Sequence, residues 1–73
     1  MTKKQIAREM ERRARQERKA GATVEIDWSL PYIAVDFPNG ESYFVQGEEA
    51  QEALDEVPDW IGAGDYFLAT FRS

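Results

Sequence analysis

The chain has no cysteine and no histidine among its 73 residues. Without cysteine, disulfides and thiolate metal sites are excluded. Without histidine, the usual general base near neutral pH is missing, and no Ser or Cys nucleophile can be paired with an imidazole. No apolar run approaches the roughly 20 residues that a membrane-spanning helix needs. The N-terminus is charged but lacks the apolar segment of a secretory signal, so a cytoplasmic location is expected. Calcium-loop, phosphate-loop and dinucleotide spacings are all absent. Asp27, Asp36 and Glu41 could gather a hard cation such as Mg²⁺, but no ligand spacing supports it. Paired carboxylates working as acid and base need a cleft that separates their pKa values, and so small a chain has little interior to form one. The expectation is a non-catalytic protein without metal or cofactor.

Positive charge is nearly missing beyond residue 20. Lys3, Lys4, Arg8, Arg12, Arg13, Arg15, Arg18 and Lys19 stand against Glu9, Glu11 and Glu17 in residues 1–20. The remaining residues hold Arg72 alone against eleven carboxylates, and the whole chain carries −5. A basic N-terminal segment, 1–20, is thus joined to an acidic body, 21–73, within one small domain. With 42% hydrophobic and 12% aromatic residues, the chain has the composition of a folded domain rather than a disordered one.

The body is organised around Tyr32 to Gln46, YIAVDF-PNG-ESYFVQ. Pro38-Asn39-Gly40 suits a three-residue hairpin loop. Proline presets the first turn position, asparagine tolerates the second, and glycine accepts positive φ. That loop length puts Ile33, Val35 and Phe37 on one face with Tyr43 and Val45. A two-residue loop would mix polar and apolar side chains on both faces. The second face carries Tyr32, Ala34, Asp36, Ser42, Phe44 and Gln46.

Residues 2–20 have the pattern of a helix. Thr2 and Gln5 form a capping box, Gly21 supplies a left-handed terminus, and Glu9–Arg13 and Glu11–Arg15 are supporting pairs. Ile6, Ala7, Met10 and Ala14 make a narrow apolar stripe, so the helix is expected to dock weakly and to be dispensable for folding of the body. Thr23 to Trp28 alternates as a half-buried strand carrying Val24, Ile26 and Trp28 inward. Gly47 to Val57 reads as a second helix, burying Ala50, Ala53, Leu54 and Val57. Trp60 and Ile61 are expected to seal the core. Asp65 to Phe71 is apolar on both sides and reads as a final strand. The resulting fold class is α+β, a two-layer α-β-β-β-α-β sandwich. It combines an antiparallel three-stranded meander with a C-terminal strand, and its helices lie on one face. The expected core joins Ile33, Val35, Tyr43, Val45, Leu54 and Trp60.

Three candidate binding surfaces follow. Glu48, Glu49, Glu52, Asp55 and Glu56 share the outer arc of the second helix. Carboxylates at i,i+4 lie about 5–6 Å apart, so such a row can imitate a phosphate track and occupy the basic groove of a nucleic-acid-binding protein. Tyr32 and Phe44, on the mixed sheet face, are aromatic anchors for a protein partner. Lys4, Arg8, Arg12, Arg15 and Lys19 line one side of the first helix and are the alternative contacts, for RNA or DNA.

The α-β-β-β-α order resembles the double-stranded-RNA-binding domain. That resemblance implies phosphate contacts from lysines opening the second helix, but Glu48, Glu49 and Glu52 stand there and would repel phosphate. Phe37-Pro38, Gln46-Gly47, Glu49-Ala50 and Ala53-Leu54 look like the strand–strand–helix unit of HicB-type antitoxins, with no functional residue to carry over. In size and charge the chain is similar to phage-encoded inhibitors of host defence, anti-CRISPR proteins included. The leading expectation is therefore a small inhibitor or adaptor whose acidic surface engages a basic, nucleic-acid-processing protein. Nucleic-acid binding through the basic helix is the alternative. A third is self-association of the basic segment with a neighbour's acidic body.

Overall fold

The structure is a computed structural model that describes residues 1–71. Its elements run α1 (Lys3–Ala20), β1 (Thr23–Asp27), β2 (Tyr32–Asp36), β3 (Ser42–Gln46), α2 (Glu48–Asp55) and α3 (Ala63–Thr70). The three strands form one antiparallel sheet in the order β1-β2-β3, so the fold is α+β.

The ends of α1 are set by local chemistry. The Gln5 amide donates to Thr2 Oγ1 at 3.2 Å, and the Thr2 amide donates to Gln5 Oε1 at 2.9 Å, which completes the capping box. At the far end Gly21 lies at φ +116°. Its amide donates to the Arg18 carbonyl, and the Ala22 amide donates to the Glu17 carbonyl. This crossed pair of bonds is the Schellman arrangement, and it needs a residue free to be left-handed.

The hairpin has the three-residue loop. The Gly40 amide donates to the Phe37 carbonyl, the Phe37 amide donates to the Glu41 carbonyl, and Gly40 sits at φ +93°. Val35 therefore pairs with Tyr43 and Ile33 with Val45. The inner face follows from that register: Ile33 and Val35 are fully buried, and Phe37 is buried at the loop. Ala14, Ala22, Ala50, Leu54, Phe67 and Leu68 close over them in one core cluster, with Tyr43 and Val45 packed at its margin.

Three expectations change. Residues 65–71 do not form a strand; α3 occupies Ala63–Thr70, and the sheet has three strands. A short run that is apolar throughout is ambiguous in period. In this run Phe67, Leu68 and Phe71 fall on one helical side. Phe67 and Leu68 are buried, and Phe71 contacts Phe67 with ring centroids 4.9 Å apart. Trp60 is half-buried outside the core cluster, whereas its neighbour Ile61 is buried. Trp28 is 63% exposed because β1 ends one residue before it.

The first helix is more than a weakly held arm. It packs along α3 with Ala7 and Ala14 buried, and Ala14 belongs to the main core. Small side chains let the two helices approach closely. At Gly64 an added Cβ would lie 3.1 Å from Arg18 Nη2 and 3.3 Å from Val24 Cγ1. Arg18 and Asp65 form an ion pair across this contact, worth little by itself because both groups are partly exposed.

Two stability predictions follow from this packing. Val35→Ala is expected to cost about 1–3 kcal/mol and Phe67→Ala about 3–5 kcal/mol, measured by denaturant melts, through lost burial and residual cavities. Removing residues 1–20 uncovers the side of α3 that α1 packs on. The truncated chain is expected to lose its cooperative transition by circular dichroism, and a sharp transition would show that α1 is dispensable after all.

Candidate functional site

The three helices lie on the inner face of the sheet, so its other face is open. That face carries Thr23, Glu25 and Asp27 from β1, Tyr32, Ala34 and Asp36 from β2, and Ser42, Phe44 and Gln46 from β3. It holds three carboxylates and no basic side chain. The register pairs Ala34 with Phe44 and brings Tyr32 and Phe44 into a stack, with centroids 6.0 Å apart and planes at 28°. Phe44 remains 60% exposed. Tyr32 and Phe44 are thus joined in one patch.

Tyr32 is fixed from its other end. Its hydroxyl donates to Glu25 Oε1 at 2.8 Å. This bond raises the phenol's pKa above its ordinary value, helped by desolvation and by the charges of Glu25 and Asp27. The β1–β2 connection is ordered by Asp27, whose Oδ1 accepts from the Ser29 hydroxyl at 2.7 Å and from the amides of Ser29 and Leu30 at 2.8 and 3.1 Å. The Ser29 hydroxyl, then the two amides, hold the Asp27 carboxyl below its ordinary pKa. The connection displays Trp28 and Leu30, the latter 70% exposed. These two displayed side chains did not emerge from strand alternation. The Asp27–Ser29 spacing, typical of an Asx turn, is the signal that could have found them.

The acidic arc is present as a surface. Glu48, Glu49, Glu52, Asp55 and Glu56 are all exposed, while Ala50 and Leu54 turn into the core. Glu48 and Glu49 open α2, where the helix dipole favours anions. Asp55 accepts from Gln51 Nε2 at 2.9 Å. The basic stripe is likewise exposed at Lys4, Arg8, Arg12, Arg15 and Lys19. Arg8 and Arg12 line a surface hollow of about 270 Å³ together with Glu9, which also pairs with Arg13 at 3.7 Å. A second hollow, about 360 Å³, lies among Glu11, Asp59, Trp60, Ile61 and Gly62. Asp27 and Asp36 sit at opposite ends of the sheet, and no metal-holding cluster of carboxylates occurs among the described residues. No helix there is long and apolar enough to cross a membrane.

Both shifted groups give pH predictions. Asp27 has a lowered folded pKa, so its contribution to stability is complete above the ordinary aspartate value of about 4 and is lost as pH falls through the lowered one. Ser29→Ala should move the Asp27 carboxyl titration upward by NMR. Tyr32 has a raised folded pKa, so its contribution is present below the unfolded value of about 10 and is lost as pH climbs through the raised one. Glu25→Gln should lower the pH at which the Tyr32 phenolate absorbance appears, and an unchanged titration would remove the Glu25 bond as the cause.

No protein-family model, no curated protein and no solved structure matches the chain.

Proposed function

We propose that the protein is a non-catalytic binding module whose acidic surface engages a basic, nucleic-acid-processing protein in the cytoplasm. In this role it acts as a small inhibitor of the phage or mobile-element kind, anti-CRISPR-like in size and charge. The observation that carries this is the segregation of charge on the folded surface. Four exposed carboxylates lie on α2 and a fifth, Glu56, at its C-terminal cap, without one basic side chain in that helix, and the open sheet face adds Glu25, Asp27 and Asp36 beside the Tyr32–Phe44 stack. Such a surface steers a basic partner during encounter and supplies aromatic anchors once contact is made.

The alternative is nucleic-acid binding through α1. It is favoured by five exposed cations along one side of α1 and by the hollow that Arg8 and Arg12 line with Glu9. The two readings respond to different substitutions. Replacing Glu48, Glu49, Glu52, Asp55 and Glu56 by their amides should abolish capture of a basic partner from native host lysate, chiefly by slowing association. Replacing Arg8, Arg12, Arg15 and Lys19 by glutamine should leave that capture intact. In gel-shift titrations with duplex RNA and DNA, no shift is expected at physiological salt. A salt-sensitive shift that disappears in the glutamine variant would establish the alternative instead.

A further inference from the structure

We propose that the free edge of β3 is a docking site for an extended, basic segment of a partner protein, which joins the sheet as a fourth strand. The basic character of that segment rests on the function proposed above; the edge itself rests on the backbone.

Two hydrogen bonds fix the phase of the β2–β3 ladder. At one end the Gly47 amide donates to the Pro31 carbonyl at 3.1 Å, and at the other the Phe37 amide donates to the Glu41 carbonyl at 2.8 Å. Antiparallel pairs alternate between hydrogen-bonded and non-hydrogen-bonded sites. Ile33–Val45 and Val35–Tyr43 are therefore the hydrogen-bonded pairs between those ends. It follows that Tyr43 and Val45 direct their N–H and C=O groups at β2, while Ser42, Phe44 and Gln46 direct theirs away from it. Since β3 is an end strand, those groups face the open edge, and all three residues are exposed.

Native edges are usually guarded by lysine, proline, bulges or inward charges. The Ser-Tyr-Phe-Val-Gln strand has none of these, and its register runs unbroken from Ser42 to Gln46. The opposite end strand differs in its side chains: β1 carries the charges of Glu25 and Asp27, while a helix packs on each of the two end strands. An unguarded, regular edge offering three donors and three acceptors is the chemistry of strand addition.

Charge chooses the occupant. Antiparallel pairing of two copies about Phe44 would place Glu41 of each across from Gly47 and beside Glu48 of the other. This like-charge contact would occur at both ends of the ladder, between chains that each carry −5. A strand with Lys or Arg at its ends meets opposite charge at the same places. Its central residue lies beside Phe44 and extends the Tyr32–Phe44 stack, so an apolar side chain fits there.

The test is selection of linear peptides from a displayed random library against the whole protein, followed by synthesis of the most enriched peptide. That peptide should carry Lys or Arg flanking an apolar residue. Its addition should slow amide exchange at Ser42, Phe44 and Gln46. Phe44→Pro should weaken it by about tenfold or more, since the substitution removes the central outward donor and spares the ladder. Phe44→Lys, which leaves the backbone intact and guards the edge with charge, should weaken it comparably and decides the matter if the proline variant does not fold. Failure to enrich any peptide, or binding indifferent to both variants, overturns the proposal. Basic peptides lost only on neutralising the α2 carboxylates overturn the edge while leaving the proposed function standing. Edge-binding peptides without basic residues overturn the basic occupant, and with it the proposal, while leaving the edge itself as a strand acceptor. Concentration-dependent protection of the same three amides in the protein alone makes a second copy the occupant and overturns the basic partner.

Discussion

The three residues between Phe37 and Glu41 constrain the rest of the molecule through parity. An odd loop closed by a left-handed Gly40 puts Val35 opposite Tyr43 rather than Phe44. One residue more or less would put the apolar set of one strand on the face opposite that of the other. With this parity Ile33 and Val35 become the buried floor on which α1, α2 and α3 assemble. The same parity sends Tyr32 and Phe44 to the open face and turns the backbone of Ser42, Phe44 and Gln46 to the edge. Core, aromatic patch and free edge are therefore consequences of one turn, and a substitution that changed the loop would disturb all three together.

A chain this short buries only a limited share of its surface, and here its main core lies on one side of the sheet. Among the described residues three helices cover that side and no element covers the other. The exposed face is consequently polar, apart from the Tyr32–Phe44 stack, and it is anchored by side-chain bonds at its margins, Tyr32 to Glu25 and Asp27 to Ser29. Rigid margins around an exposed aromatic lower the ordering cost of binding there. The acidic residues of α2 are placed by the same economy, since Ala50 and Leu54 must turn inward and the carboxylates take what remains.

Much of this was legible in the sequence because it depends on local chemistry. Thr2 and Gln5, Gly21, and the Pro38-Asn39-Gly40 loop each specify a backbone geometry within a few residues, and each is present. The amphipathic spacing of Ala50 and Leu54 was equally direct. What failed depends on packing between distant segments. Asp65 to Phe71 carries apolar residues at both strand and helix periods, and only the need of α1 for a partner along Ala7 and Ala14 selects the helix. Within the stripe of Ile6, Ala7, Met10 and Ala14 it is the two alanines that are buried, side chains that add little by transfer energy although they permit close helix contact. Of the candidate site residues, the aromatic pair came together through register, which the sequence encodes. Trp28 was misplaced because alternation says nothing about where a strand stops, whereas the Asp27 turn does.

With its edge unguarded, β3 relies on charge for any protection against pairing with a second copy. Local gatekeepers are missing, so the protection has to act over a longer range. Glu41 and Glu48 flank the strand, so an edge-to-edge approach of two acidic bodies sets like charges against each other before backbones can meet. Screening limits that repulsion to about 8 Å at physiological ionic strength, which is still longer than the spacing between paired strands. Repulsion of this kind discriminates by sign. It opposes a second acidic copy and attracts a basic segment, while leaving the backbone donors and acceptors uncompromised for the latter. A lysine on the edge would have protected it against both. In the proposed docking, the charge of the whole body does for specificity what edge charges do for solubility elsewhere.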